Sequence, residues 1–471
     1  MLIDIVLRRH YAAMLGFFVV AWCVLTLLVE KLLLTEQHWV LILSSLLFGV
    51  MVLELLLRGV MWSIYGSKYV YSILNYTLVD HPVYGNCFRR STKTHEVGHL
   101  LFDKFVLYPD SPRSLDLDQN KANRVKFSIN SLGYRGVEFT AQKKARLRIF
   151  CVGGSTTACD CNDDEDAWPS QLQSTLIKKG YDVEVINAGV QGWYSYQDYL
   201  RIRDEIRNYD VDIILLQQGW NEEFEFSSLS LGKNWQPCLV RNVREQHHLC
   251  CPPNRFLSNA RLLSVYMGVH AFMKRVFFLR NMSFENPARW MVLKQAAYIS
   301  AWFENMILSA HLAADRGIMF YNVNFPSLVD VNDTVEEREI YVNNSRLSEL
   351  FANYQAISKR RFTRTLQLLR PVLPCFDIDV GLQERKAVDR LSLFDDEMHT
   401  TPRGNALIGS YLASLLLADD DFHRRYEDPA NRVANVNLNP NMISEIHSKV
   451  IYNEPGLDRK IDEILKSLNC Q

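Results

Sequence analysis

RLRIFCVGGSTT, residues 146–157, is the stretch on which the fold turns. Residues 147–152 form a short apolar run carrying the β-prone Ile149, Phe150 and Val152, too short for a core helix, and they predict a buried strand. Gly153 and Gly154 then allow a sharp turn with either sign of φ. They deliver Ser155 to the carboxyl end of the strand, where open α/β sheets hold their ligands. Taken alone, the stretch reads as well or better as a glycine-rich turn whose serine caps the next helix. The order of residues downstream separates the two.

From residue 144 onward, strand and helix patterns alternate, which predicts a parallel sheet with helices on both faces. An acidic loop over 160–166 leads to a helix opened by Trp168 and Pro169, where the missing proline N–H costs little. Leu172, Leu176 and Ile177 give that helix an apolar face, and Lys178, Lys179 and Gly180 close it. A second strand is expected over 183–187, followed by Ala188 and Gly189. Ser195 is the expected cap of the next helix, with Asp198 three residues on. A third strand over 212–217 runs into Gly219, Trp220 and Asn221. Residues 224–290 interrupt the alternation. Their His247, His248, Cys250 and Cys251 are adjacent pairs that do not converge easily on one ion, so a lid or insertion loop is the expectation. A helix over 292–314, a strand over 318–324, a short strand over 376–380, a loop over 395–399 and an apolar helix over 404–417 complete the pattern. The tail over 419–471 is polar, with a weak amphipathic stretch near 461–468.

Upstream, residues 1–62 read as a two-helix membrane anchor. Residues 11–29 are uncharged and apolar and long enough to span a bilayer; residues 39–57 form a second run broken only by Glu54. Arg8 and Arg9 before the first span, with Arg58 and Lys68 after the second, favour both ends on the cytoplasmic side. Residues 63–143 are expected to connect this anchor to the 144–418 domain. They include His95-Glu96-Val97-Gly98-His99, a formal match to a zinc-protease helix with His95 and His99 as ligands. Gly98 and Val97 are poor helix residues, and Phe102 and Phe105 stand where a longer zinc motif needs glycine and histidine. Zinc proteolysis is therefore a remote alternative, and no metal or other cofactor is expected. The net charge of −1 gives no global field for nucleic acid. The 10 cysteines show no repeated spacing, which excludes a small disulfide scaffold; Cys151 reads as a buried small hydrophobe.

Ser155, Gly189, and Gly219 with Asn221 thus mark three strand ends, and a later loop carries Asp396 and His399. In a parallel sheet these strand ends share one edge. Acyl transfer needs this inventory: a serine activated by a histidine base, a carboxylate to orient the imidazole, and donors facing the developing oxyanion. The backbone N–H groups of Ser155 and Gly189 and the Asn221 amide could supply the donors. Each piece alone is an ordinary turn; their shared placement and order are not.

Four blocks, Gly153-Gly154-Ser155-Thr156, Asn187-Ala188-Gly189, Gly219-Trp220-Asn221-Glu222 and Asp396-Glu397-Met398-His399, resemble the SGNH (GDSL-like) hydrolases over roughly 144–418. The resemblance implies a three-layer α/β/α, flavodoxin-like fold. It implies Ser155 as nucleophile, His399 as base and Asp396 as its orienting acid, with an oxyanion hole from Ser155, Gly189 and Asn221. Asn130 to Gly136, with the Glu54–Arg58 end of the anchor, resembles membrane-anchored bacterial members, which places the chain in a bacterial inner membrane. Two departures stand out: Gly-Gly-Ser-Thr replaces Gly-Asp-Ser-Leu, and Glu222 stands where aspartate is usual. The expected function is a membrane-anchored serine esterase removing short acyl groups, acetyl above all, from a carbohydrate or lipid-linked ester. An O-acyltransferase working with a multi-spanning membrane partner, or a non-catalytic membrane scaffold, are the alternatives. Trp193 and Trp220 read as core packing rather than pocket walls, and Arg135 as one half of a structural salt bridge.

Overall fold

The computed structural model describes residues 48, 49, 52, 78–81, 83–88, 90–94, 126–159, 162–219, 221, 302–329, 333–344, 359, 362–383, 387–395 and 398–451. The chain divides into two units, Met1–Asn75 with Pro252–Phe277, and Tyr76–Cys251 with Phe278–Gln471. Of the first, Phe48, Gly49 and Val52 are described, and all three are helical. The expected membrane anchor otherwise lies outside the described residues, as do His95, His99, the 224–290 insertion and the 461–468 stretch. Among the described residues no helix is long and apolar enough to cross a membrane.

In the second unit, β1 (Leu78–His81) and β2 (Gly85–Phe88) form an antiparallel hairpin, and β3 (Thr92–Thr94) pairs antiparallel with β4 (Phe127–Ile129). The main sheet contains β5 (Leu147–Gly153), β6 (Val183–Asn187), β7 (Ile213–Gln217), β8 (Met319–Val323) and β9 (Cys375–Phe376) in the order β6-β5-β7-β8-β9. Every pairing in it is parallel. In order of appearance along the chain the strands lie second, first, third, fourth, fifth, which is the flavodoxin-like order. The order reverses at β5, so the carboxyl end of β5 lies at the switch point of the sheet. The helices are α1 (Ser155–Ala158), α2 (Trp168–Lys178), α3 (Ser195–Asp204), α4 (Val335–Asn344), α5 (Val380–Gln383), α6 (Ala387–Leu391), α7 (Pro402–Leu417), α8 (Asp420–Glu427) and α9 (Pro440–Ile451), with further helical residues over 302–314 and 362–369.

Side-chain alternation along the strands builds the two outer layers. Leu147, Ile149 and Cys151 of β5, with Ile213 and Leu215 of β7, pack on Trp168, Leu172 and Leu176 of α2 and Ile408, Leu412 and Leu416 of α7. Phe150 and Val152, with Ile214 and Leu216, face the other way, onto Trp302, Phe303 and Met306 and onto Phe362, Leu366 and Leu369. Each such side chain contributes about 1.5–3 kcal/mol by leaving water. All seven residues of β5 are buried, as a strand covered on both faces requires. Burial also pushes the Cys151 thiol well above its ordinary range, leaving an inert small hydrophobe.

The structure differs from the sequence reading at several boundaries. α3 is capped by Tyr194, which forms a capping box with Gln197; Ser195 is the first helical residue, its Oγ accepting from Asn305 Nδ2 at 3.0 Å. The short strand expected over 376–380 is Cys375–Phe376, because Asp377 Oδ1 accepts from the Asp379 N–H at 3.2 Å and turns the chain into α5. Residues 126–143, expected to connect, pack with the sheet: Tyr134 and Phe139 lie edge-on to Phe150. The polar tail folds back as well. Phe422 of α8 joins one core layer and Ile446 of α9 the other. Arg425, which is buried, donates to the carbonyls of Gly317 and Val433 at 2.7 and 2.8 Å.

Candidate active site

The two glycines before Ser155 have separate physical causes. A Cβ on Gly153, whose φ is +156, would lie 2.1 Å from the Gln217 carbonyl oxygen of neighbouring β7. A Cβ on Gly154 would lie 2.8 Å from Asn221 Nδ2 and 3.3 Å from the Trp193 carbonyl oxygen. The first glycine lets β5 and β7 close together; the second makes room for the Asn221 amide beside Ser155. Gly154 is the N-cap of α1, so Ser155 is its first helical residue rather than its cap. The Ser155 N–H finds no partner among the described residues, as expected for a first-turn amide.

The short α1 is held from all sides. Trp168 Nε1 donates to the Thr156 carbonyl at 3.1 Å, and Thr157 Oγ1 to Gln217 Oε1 at 3.0 Å. Asn187 Nδ2 donates to the Thr157 carbonyl at 2.9 Å. Arg135 donates to the carbonyls of Ala158, Cys159 and Asn162 and pairs with Asp164 at 3.1 Å. Arg135 is therefore structural, as its sequence context suggested. Cys159 closes the helix in the left-handed region with φ of 53.

Late in the chain, Phe394 and Thr400 form an antiparallel bridge, and the Asp395 N–H donates to the His399 carbonyl at 2.8 Å. Thr401 caps α7, accepting from the Gly404 N–H at 3.3 Å. Asn162 Nδ2 reaches the Thr400 carbonyl at 2.9 Å and ties this loop to the one after α1. The result places His399 Nε2 2.8 Å from Ser155 Oγ, across 244 positions of sequence. Ser155 is 8% exposed and His399 is half-buried. Asp396 and Glu397 lie outside the described residues, as do Trp220 and Glu222.

The donor reading requires one correction. The Gly189 N–H is donated to Asn187 Oδ1 at 3.0 Å, and a Cβ on Gly189 would meet Ala158 N at 2.3 Å. Gly189 is present for close packing under α1, and its amide is already engaged. Three residues on, Gly192 has φ of +73, open space where a Cβ would stand, and an N–H with no partner among the described residues. It adjoins Trp193, whose carbonyl accepts from Asn221 Nδ2 at 2.7 Å. Gly192 is therefore a second candidate donor in this loop, one that the sequence reading did not single out. The usable signal was a second glycine in the same loop, just before the tryptophan. Trp193 itself is fully buried and packs with Tyr84, Val190 and Leu200, a core role. Among the described residues no group of acidic, histidine or cysteine side chains could hold a metal ion.

No family model matches the chain. An arylesterase of Vibrio mimicus is 28% identical over 83 residues, which make up 18% of this chain and 42% of that protein, so the chain spans less than half of this relative's length. Among solved structures, an esterase from Pseudoalteromonas matches 58% of this chain and 99% of its own at 12% identity, with a TM-score of 0.29. A lipase/acylhydrolase from Enterococcus faecalis matches 58% and 96% at 11% identity, with a TM-score of 0.30. At such scores the likeness by itself assigns neither fold nor activity. The parallel sheet in flavodoxin-like order, with a serine and a histidine in hydrogen-bond contact at its carboxyl edge, is a property of this chain's own geometry.

Proposed function

We propose that the chain is a serine esterase of the SGNH (GDSL-like) type, anchored in a membrane by residues 1–62. The observation that carries the reading is the 2.8 Å contact between His399 Nε2 and Ser155 Oγ at the carboxyl end of β5. Nucleophile and base are within proton-transfer reach. In the first step His399 takes the Ser155 proton as Oγ attacks the ester carbonyl carbon. The oxyanion that forms is met by the N–H groups of Ser155 and Gly192 and by the second hydrogen of Asn221 Nδ2. As the intermediate collapses, His399 returns the proton to the departing alcohol oxygen, leaving an acyl-serine. Water, deprotonated by His399, then attacks the acyl carbon and restores Ser155. Asp396 is the group assigned to hold the imidazole in the tautomer that leaves Nε2 free to accept.

The substrate assigned is a short acyl ester, acetyl above all, on a carbohydrate or a lipid-linked acceptor. The test uses detergent-solubilised full-length chain with p-nitrophenyl esters of increasing acyl length and with an acetylated oligosaccharide. Expected are release of p-nitrophenol fastest from the acetate, and loss of turnover in Ser155→Ala and His399→Ala. Turnover that survives Ser155→Ala, or a preference for long chains, would overturn the reading. Acetyl transfer to added oligosaccharide in place of hydrolysis would assign the same site to an acyltransferase.

A further inference from the structure

The Trp193 carbonyl accepts two side-chain amides at once, Asn221 Nδ2 at 2.7 Å and Gln218 Nε2 at 2.9 Å. The other Gln218 N–H is given to Asp198 Oδ2 at 2.7 Å, and Gln218 Oε1 accepts from the Gly219 N–H at 3.1 Å. Asp198 and Gln218 are both buried, at 0% and 4% exposure. Every N–H of the Gln218 carboxamide therefore has an acceptor, and its oxygen has a donor. Turning the amide over would set its oxygen against a carbonyl and a carboxylate, acceptor against acceptor, so the Asp198 carboxylate fixes which way it faces. A buried carboxylate carries a desolvation cost that a simple packing position would not need.

The network has a consequence at the reacting end. Asn221 Nδ2 carries two hydrogens. One is committed to the Trp193 carbonyl, so the position of that carbonyl sets the direction of the other, beside Gly154 and Ser155. We propose that Gln218, oriented by Asp198, is a positioning residue that aims the Asn221 amide at the oxyanion; the inference rests on the esterase reading. The hydrogen bonds of Gln218 run to the Trp193 carbonyl, Asp198 and the Gly219 N–H. Gln218 acts through the Trp193 carbonyl, on a donor whose misplacement by an ångström can cost on the order of a hundredfold in rate.

The test compares wild type, Gln218→Met, Asn221→Ala and the double variant on p-nitrophenyl acetate, with melting curves alongside. Methionine keeps the volume and removes all three hydrogen bonds. Expected is a fall in kcat of roughly a hundredfold for Gln218→Met with KM within about twofold. The double variant should be no more than about threefold worse than Asn221→Ala alone, because both changes disable one donor. A merely structural role would instead multiply the two losses. Gln218→Glu is the second variant, matched in shape. Its introduced carboxyl keeps a donor only when protonated, so its kcat relative to wild type should fall as pH rises. An active wild type with Gln218→Met within about threefold of it, or multiplicative losses in the double variant, would overturn the inference while leaving the esterase reading intact. A wild-type chain that hydrolyses none of the esters would overturn the esterase reading, and the inference with it.

Discussion

Gly154→Ala separates catalysis from stability. The added Cβ would lie 2.8 Å from Asn221 Nδ2, while comfortable carbon contacts begin at about 3.5 Å, so the amide must retreat by about 0.7 Å. A donor starting near 2.9 Å from the oxyanion would end near 3.6 Å, beyond useful hydrogen-bond distance. The loss should approach that of deleting one oxyanion donor, about 10²–10³ in kcat, or about 2.7–4 kcal/mol of transition-state stabilisation. Folding should barely change. Gly154 has φ of −84 and ψ of −150, extended backbone open to alanine, and the atom displaced is the end of a side chain. The gain of about 0.4–1 kcal/mol from a less flexible unfolded chain offsets the tighter 3.3 Å contact with the Trp193 carbonyl. Gly153→Ala is the contrast: its Cβ meets the Gln217 carbonyl oxygen at 2.1 Å, which only movement of β5 from β7 relieves. Steady-state kinetics on p-nitrophenyl acetate with melting curves measures both. A Gly154→Ala variant within about threefold of wild-type kcat, or one that melts as low as Gly153→Ala, would refute the reasoning.

Two further outcomes are expected. Arg135→Met leaves Asp164 without its cation and takes one donor from each of the Ala158, Cys159 and Asn162 carbonyls, and should cost about 3 kcal/mol or more in urea unfolding, as breaking a buried pair does; a loss below about 1 kcal/mol would contradict it. His81 titrates below its ordinary value of 6.5, first because of burial, with Arg201 adding to this and Glu205 opposing it. Its Nδ1 accepts from the N–H groups of Val83 and Tyr84, which a protonated ring could not do. The unfolded chain therefore binds the proton first, so the stability of the β1–β2 hairpin is complete above about pH 6.5 and is lost as pH falls below it. Exchange of the Val83 and Tyr84 amides should accelerate relative to the core between pH 7 and 5, once intrinsic rates are divided out; an unchanged ratio would contradict this.

The sheet was legible because its inner strands β5, β7 and β8 are buried along their whole length. Residues 147–152, 183–187 and 212–217 are largely apolar runs, the first followed by Gly153 and the others ending at Asn187 and Gln217, and each emerges within a residue of its expected bounds. Ser155 and His399 were legible as strand-end and loop residues, but the distance between them was not, because it depends on the Phe394–Thr400 bridge and on Asn162 holding Thr400. Gly189 misled because a glycine after Asn187 suggests an open turn, while the Asn187 side chain folds back on that very amide. Asp198 resembled a helix-start residue, since nothing local reveals that Gln218, 20 positions on, will be its partner. The tail looked polar because its contacts are arginine to carbonyl: Arg425 and Arg432 reach the base of the sheet with their guanidinium groups.

The most direct measurement is the reaction of detergent-solubilised full-length chain with a fluorophosphonate, the modified peptide being located by mass spectrometry. A serine activated by His399 at 2.8 Å should be phosphonylated at Ser155 alone, and the adduct should vanish in Ser155→Ala and His399→Ala. A folded chain left unmodified, or one modified at another serine with Ser155 untouched, would contradict the account.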